Sequence, residues 1–292
     1  MSFTIVTDTS ANIPTPEARE KGILVVPLSY LSEEQEHICL DTEAFDAPAY
    51  YGAMKNGAKI TTSQINPQRY VEYMEPELKE GRDILFVGMS SGISGSFHSA
   101  SIARELLLES YPQRSIRLVD SQGASLGEGL LVLKAAQWRD EGREMEQIAR
   151  ELTELRDHMY QVFTVDDLMH LRRGGRLSNA SAIVGTVLNV KPLLKGNEHG
   201  KIVNFAKVRG RKKVIDRLAQ IYNSMVVDPV HQKVGISHAN CREDAEMLAG
   251  LISKEKAPAE IMIVDHEPVT GSYLGPGALA LYFLGDADVR TK

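Results

Sequence analysis

Residues 84–107 read ILFVGMSSGISGSFHSASIARELL, and this stretch decides the fold. It opens on an apolar run without alternation and passes through Ser90–Ser96, seven residues containing only serine, glycine and one isoleucine. It ends in apolar residues at helical spacing. An apolar strand that does not alternate is buried on both faces, as in a parallel sheet covered by helices. Strand, Gly/Ser turn and helix thus make the first half of a βαβ unit.

The same reading extends outward in both directions. Upstream, FTIVTD (3–8) and GILVVPLSY (22–30) are β-rich, and Pro14 and Pro16 suit the first turn of a helix between them. Downstream, SIRLVD (115–120) is a strand, followed by a long helix, GASLGEGLLVLKAAQWRDEG (123–142), with Gly142 as its C-cap. This alternation predicts an open parallel α/β sheet. From about Met159 the pattern changes. A strand runs into a short helix in YQVFTVDDLMHLRRGG (160–175), and ASAIVGTVLNV (180–190) reads as helical. KPLLKGNEHGKIVNFAKV (191–208) reads as two strands joined by a turn. Helices at 211–225 and 242–256 then alternate with the strands KVGISHA (233–239) and AEIMIVDH (259–266). The expectation is an α/β protein of two domains: an N-terminal parallel open-sheet domain, 1–157, and a C-terminal α+β domain with a mixed sheet, 158–292.

Composition narrows the function. The 292 residues, 43% hydrophobic and 25% charged, suffice for a sizeable core. A net charge of −6 argues against non-specific nucleic-acid binding, which needs a dominant basic surface. Two distant cysteines, Cys39 and Cys241, give no disulfide framework. The N-terminal residues have no basic segment followed by an apolar core, and no apolar run approaches the roughly 20 residues that span a bilayer. The expected location is the cytoplasm.

The serine loop follows the carboxyl end of a buried strand, where open α/β sheets bind ligands. The helix after it offers unpaired N–H groups to an anion. TDTS (7–10), DSQ (120–122) and the loop ITTSQINP (60–67), which ends in a helix-initiating Asn66-Pro67, are also hydroxyl-rich, and this suggests one polar mouth. The plain alternative is that serine and glycine serve turns and helix caps. A phosphate loop is disfavoured, because no G-x-x-x-x-G-K-[ST] is present. A serine hydrolase is a further alternative: Gly92-Ile93-Ser94 begins a G-x-S-x-G that fails at Ser96, and His98 reads better as a surface histidine. GPGALA (275–280) is no dinucleotide fingerprint, since only twelve residues follow it. A nucleotide-binding regulator is accordingly the weakest reading. HLRRGGRLS (170–178) and KVRGRKK (207–213) are basic clusters, solvated faces or anion-capturing arginines. His238 and Cys241 form an isolated H-x-x-C pair, so no metal site and no cofactor is expected.

Taken in order, IVTDTSANIP, TTSQINP, SSGISGS, LVDSQGASLGEGLLV, VDDLMHLRRGGRLS, LNVKPLL, KVRGRKK and GPGALAL resemble the bacterial DegV family over almost the whole chain. The resemblance implies a non-catalytic protein that binds one long-chain fatty acid of the palmitate or oleate type in a buried tunnel between or near the two domains. A separate fatty acid kinase then phosphorylates the presented carboxylate, in the service of phospholipid metabolism. It further implies that Thr62 and Ser94 hold the carboxylate, with Ser63, Gly95 and Ser96 as neighbouring donors. Arg173, Arg176, Arg209 and Tyr273 are candidates for head-group or partner contacts, and transient contact with a membrane is a further expectation. One departure stands out. Relatives that work with the kinase commonly carry a histidine in a G-x-H-x-GPG context, whereas this chain reads GSYLGPG (271–277), with Tyr273 at that position. Tyrosine donates a hydrogen bond but carries no positive charge at neutral pH, which puts support of phosphoryl transfer in doubt.

Overall fold

The computed structural model describes residues 3–178, 189–286 and 289–291. The chain divides into two compact units, Met1–Phe45 with Ile60–Arg156, and Asp46–Lys59 with Asp157–Lys292. In chain order the first unit begins with β1 (Phe3–Asp8), α1 (Thr15–Glu20), β2 (Ile23–Val26), β3 (Ser29–Ser32) and β4 (Gln35–Ile38). The excursion into the second unit carries α2 (Ala47–Lys55). The first unit resumes with β5 (Ile60–Ser63), α3 (Pro67–Lys79), β6 (Asp83–Gly88), α4 (Ser96–Ser110), β7 (Ile116–Asp120), α5 (Leu126–Asp140) and α6 (Met145–His158).

Strands β2, β1, β6 and β7 form, in that order, a parallel sheet. Every residue of β1 and of β6 is buried, as their unbroken apolar character requires. Helices α3 and α4 pack on each other and against β6 and β7, while α5 packs along β1 and β6. Helix α3 starts where the sequence predicts it, with the Asn66 side chain accepting from Arg69 N at 2.8 Å and Pro67 in the first turn. Helix α5 ends at Gly142, whose φ of 83° lets its amide reach back to Arg139 O. Near its start α5 approaches the turn after β1 so closely that a Cβ on Gly129 would stand 2.3 Å from Ala11 O.

Two sequence readings are corrected here. GILVVPLSY is not one strand: it breaks at Pro27, which lacks the N–H needed to continue the ladder, and Ser29–Ser32 joins a different sheet. Thr61–Ser63 are not loop but strand. They lie in β5, which with β3 and β4 makes a separate antiparallel sheet of order β4-β3-β5.

The second unit continues with β8 (Met159–Thr164), α7 (Met169–Arg173), β9 (Val190–Gly196), β10 (Ile202–Arg209), α8 (Arg211–Met225), β11 (Lys233–His238), α9 (Arg242–Lys256), β12 (Glu260–Asp265), α10 (Pro268–Leu274) and β13 (Leu279–Leu284). Its sheet has the order β10-β9-β8-β13-β11-β12, and only β11 and β12 run parallel. Val162, Leu281 and Ile236 face α8 and α9 and form a core with Val214, Leu218, Leu248 and Ile252, all fully buried. Truncating one such leucine to alanine costs about 2–5 kcal/mol. The helix expected over 180–190 falls mostly on residues outside those described. Helices α2, α6 and α10 have no counterpart in the sequence reading. No helix among the described residues is long and apolar enough to cross a membrane.

Candidate functional site

In the first unit the strand order reverses between β1 and β6, so the loops after these two strands flank the switch point at which open α/β sheets bind ligands. The turn after β6 is closed from within. Ser90 O accepts from Ile93 N at 3.2 Å and Ser94 N at 3.1 Å, and Ser90 Oγ accepts from Gly92 N at 3.1 Å. The Ser94 hydroxyl accepts from Ser96 N at 3.1 Å and donates to Ser96 Oγ at 3.0 Å. It therefore satisfies the first amide of α4, whose first turn contains no acidic residue. Its bonds go to Ser96 and not to an imidazole, and His98 is exposed on α4. The hydrolase alternative gains no catalytic pair from this geometry.

The two motifs set apart in sequence, TTSQ and SSGISGS, meet. Ile65 N donates to Ser96 Oγ at 3.2 Å, and Gln64 Nε2 donates to Ser99 Oγ at 3.2 Å. The Gln64 amide lies directly over Gly95, where a Cβ would stand 1.9 Å from Gln64 Oε1. Thr62, half-buried in β5, is paired in register with Tyr30, whose ring stacks on His37 at 4.8 Å. Its neighbour Ser63 is exposed on the other face of the same sheet.

Beneath the serine turn sits a buried acidic pair that sequence reasoning missed. Glu128 accepts from Thr7 Oγ1 at 3.0 Å and Ser10 Oγ at 2.6 Å. Asp8 accepts from Ser10 N at 2.9 Å and Met89 N at 3.4 Å, bridging the ends of β1 and β6. Burial pushes the Asp8 carboxyl up, against the hydrogen bonds from Ser10 and Met89. Burial and the Asp8 and Glu128 charges likewise hold the Tyr70 phenol protonated. The available signal was TDTS itself, together with a glutamate inside the otherwise apolar start of α5.

A complete G-x-S-x-G also escaped notice at Gly123–Gly127, between β7 and α5. Ser125 has the strained backbone of such an elbow, φ 52° and ψ −143°. Its side chain is fully buried, whereas a nucleophile elbow must expose its hydroxyl.

In the second unit Arg176 and Tyr273 come together. The Arg176 guanidinium lies 4.4 Å from the Tyr273 ring centroid, and a Cβ on Gly174 would stand 2.3 Å from that ring. His170 packs on Gly275 in the same way, and burial pushes its imidazole pKa down. Arg173 is exposed on α7, its Nε donating to Met169 O at 3.3 Å. Arg209 is exposed at the end of the edge strand β10.

Tyr273 rides on α10, which is held at its start. Glu267 accepts from Val269 N and Thr270 N, and also from the Thr270 hydroxyl. Thr270 has then given away its hydrogen, so His266 Nε2 must donate to Thr270 Oγ1, at 2.8 Å. His266 Nδ1 in turn accepts from the Ser237 hydroxyl at 2.8 Å, and Ser237 accepts from Tyr282 at 3.1 Å. One tautomer of a neutral His266 satisfies the whole chain. Full burial, aided by neighbouring His238, pushes its pKa down to about 3. From α2, Tyr50 donates to Pro268 O at 2.7 Å and Tyr51 to His266 O at 2.6 Å.

Comparison with known proteins identifies the family. A family profile described as "Uncharacterised protein, DegV family" matches residues 2–286. A DegV domain-containing protein of Clostridium perfringens is 39% identical over 97% of this chain and 98% of its own length. Among solved structures, a Bacillus subtilis protein described as DegV, a fatty acid binding protein, is 32% identical with a TM-score of 0.83, covering 98% of this chain and 100% of that one. A Thermus thermophilus structure described by its fatty acid binding is 27% identical with a TM-score of 0.88, over 98% and 100%.

Proposed function

This chain belongs to the DegV family, and from that premise we propose that it is a cytoplasmic, non-catalytic protein that binds one long-chain fatty acid and presents it to a separate ATP-dependent fatty acid kinase. The observation that carries the reading is the meeting of TTSQ with SSGISGS through Ile65, Gln64, Gly95 and Ser96.

In this reading the carboxylate is held by the hydroxyls of Thr62 and Ser94, with Ser63, Gly95 and Ser96 supplying further donors. The Ser94 hydroxyl turns from Ser96 toward the ligand, while the α4 N-terminus supplies positive potential without a lysine. A carboxylate held by neutral hydroxyls and backbone amides keeps its charge and its nucleophilic oxygens, as a phosphoryl acceptor must. The acyl chain supplies the affinity: at ~0.8 kcal/mol per buried methylene, a chain of about 16 carbons gives a gross ~12 kcal/mol. The head-group contacts then set orientation. Arg173, Arg176 and Arg209 serve the head group or the kinase, and Tyr273 keeps Arg176 in place where relatives use a histidine.

Lipid extraction of the purified protein, followed by mass analysis, tests the reading. The expected result is a fatty acid near one per chain, together with uptake of palmitate or oleate by delipidated protein. Failure of a lipid-free preparation to take up either would overturn it. Thr62→Ala and Ser94→Ala are expected to weaken uptake or shift the carboxylate; unchanged affinity and pose would remove these two residues from the site. Covalent labelling of Ser94 by a fluorophosphonate would instead favour a hydrolase.

A further inference from the structure

The small sheet β4-β3-β5 has a second face, opposite Thr62, which the proposed lipid site reaches only at Ser63. The register pairs Tyr30 with Thr62 and His37, which places Thr62 on one face, and Leu31 with Thr61 and Glu36, which places these on the other. On that second face Leu31, Glu36, Ile38, Thr61 and Ser63 are all exposed. Leu31 is 42% exposed and Ile38 53%, and Leu40, just after β4, is 54% exposed. Leu31 and Ile38 share this face and Leu40 is exposed two residues beyond it, so open aliphatic side chains gather at the hairpin, as they do at interaction surfaces.

The charge carried by the hairpin itself has one sign. Residues 30–43 carry five carboxylates, Glu33, Glu34, Glu36, Asp41 and Glu43, and no lysine or arginine. Among the described residues one ion pair reaches this set from outside, Arg69 to Glu36 at 3.8 Å. An apolar centre with an acidic rim repels an anionic bilayer and any nucleic acid. It complements a protein surface with an apolar centre and a basic rim, because opposite potentials steer encounter while the apolar centre supplies affinity.

We propose that the β3–β4 hairpin is a docking face for a protein partner that presents aliphatic side chains flanked by lysines or arginines. The inference rests on the exposed face alone and stands whether or not Thr62 holds a ligand.

The test uses a fluorescently labelled helical peptide of leucine and lysine, and its leucine–glutamate counterpart, titrated into the full chain at low and high salt. Binding of the lysine peptide alone is expected, weakening with salt. The combined variant Leu31→Ser, Ile38→Ser, Leu40→Ser should weaken it at least tenfold, and so should Glu33→Lys with Glu34→Lys. Because these side chains are exposed, the variants should keep the parent thermal midpoint and the parent uptake of palmitate. Equal binding of the lysine peptide by parent and variants would overturn the proposal. So would preferential binding to phosphatidylglycerol vesicles, or self-association through this face in sedimentation. Loss of palmitate uptake with the docking result intact would count against the lipid-site reading and not against the docking face.

Discussion

The backbone amide of Ile65 donates to the hydroxyl of Ser96 at 3.2 Å, tying the end of β5 to the first turn of α4. Ile65 is itself buried. Ser96→Ala would leave that amide without its acceptor, at a cost of about 1–3 kcal/mol. Denaturant melts should show the loss, and hydrogen exchange should show faster opening at Ile65 than in the parallel sheet. An unchanged exchange rate at Ile65 would mean that this bond does not hold the two motifs together.

Gly95→Ala makes a gentler version of the same test. The added methyl collides with the tip of Gln64, a flexible side chain that can move aside. The expected loss is about 1 kcal/mol, the worth of the Gln64–Ser99 hydrogen bond. The combined variant Gly95→Ala, Gln64→Ala should cost little more than Gln64→Ala alone, which a double-mutant cycle measures.

Arg176 over Tyr273 gives a third prediction. Tyr273→Phe keeps the ring face and should retain the Arg176 contact, whereas Tyr273→Leu removes the π face and should cost about 0.5–2 kcal/mol more than the phenylalanine variant. Gly174→Ala should resemble the leucine variant, because its methyl would enter the ring. Thermal midpoints of the three variants decide the matter.

His266 sets a pH dependence. Its ring is neutral in the folded protein, with a pKa of about 3 against an ordinary 6.5. Below pH 6.5 the unfolded chain takes up a proton that the folded chain refuses, so stability falls as pH falls through the window from 6.5 to about 3. The slope from this group approaches ~1.4 kcal/mol per pH unit. Above pH 6.5 the ring contributes no slope. His266→Gln should lower stability at pH 7 and flatten the decline between pH 6 and 4, as urea melts across pH would show.

The turn of the β3–β4 hairpin is made by Glu33 and Glu34, with φ of 51° and 64°. Both lie in the left-handed region, where asparagine and glycine are favoured. Glu33→Asn with Glu34→Gly should stabilise the protein by about 1 kcal/mol through relief of that strain, seen as a raised thermal midpoint.

The parallel sheet was legible because β1, β6 and β7 each advertise themselves by an apolar run and a polar turn, with helices of the right period between them. Asn66-Pro67 and Gly142 marked helix ends by chemistry that needs no tertiary partner. Other features had no such local signal. Helix α2 is short and held by Tyr50 and Tyr51 to residues far along the chain, so nothing nearby in sequence announces its place. Thr61–Ser63 look like loop because half of that strand faces solvent, and only pairing with β3 makes it a strand. Hydroxyl density pointed to the segments that carry Thr62 and Ser94, and the family resemblance singled out those two residues. The burial of Asp8 and Glu128 depends on strand order, and the His266 chain joins β11, β13 and α10, elements whose adjacency no spacing reveals.

The α2 excursion also bears on synthesis. Tyr50 and Tyr51 leave the ribosome more than 200 residues before Pro268 and His266, the groups whose carbonyls they meet. The second unit therefore cannot close until nearly the whole chain is made. Severing the chain at the boundary near residue 157 yields a C-terminal piece that lacks one of its own helices, and an N-terminal piece that carries a helix with nowhere to dock. The halves look like modules, but they cannot be inherited, swapped or expressed as modules unless residues 46–59 travel with the second.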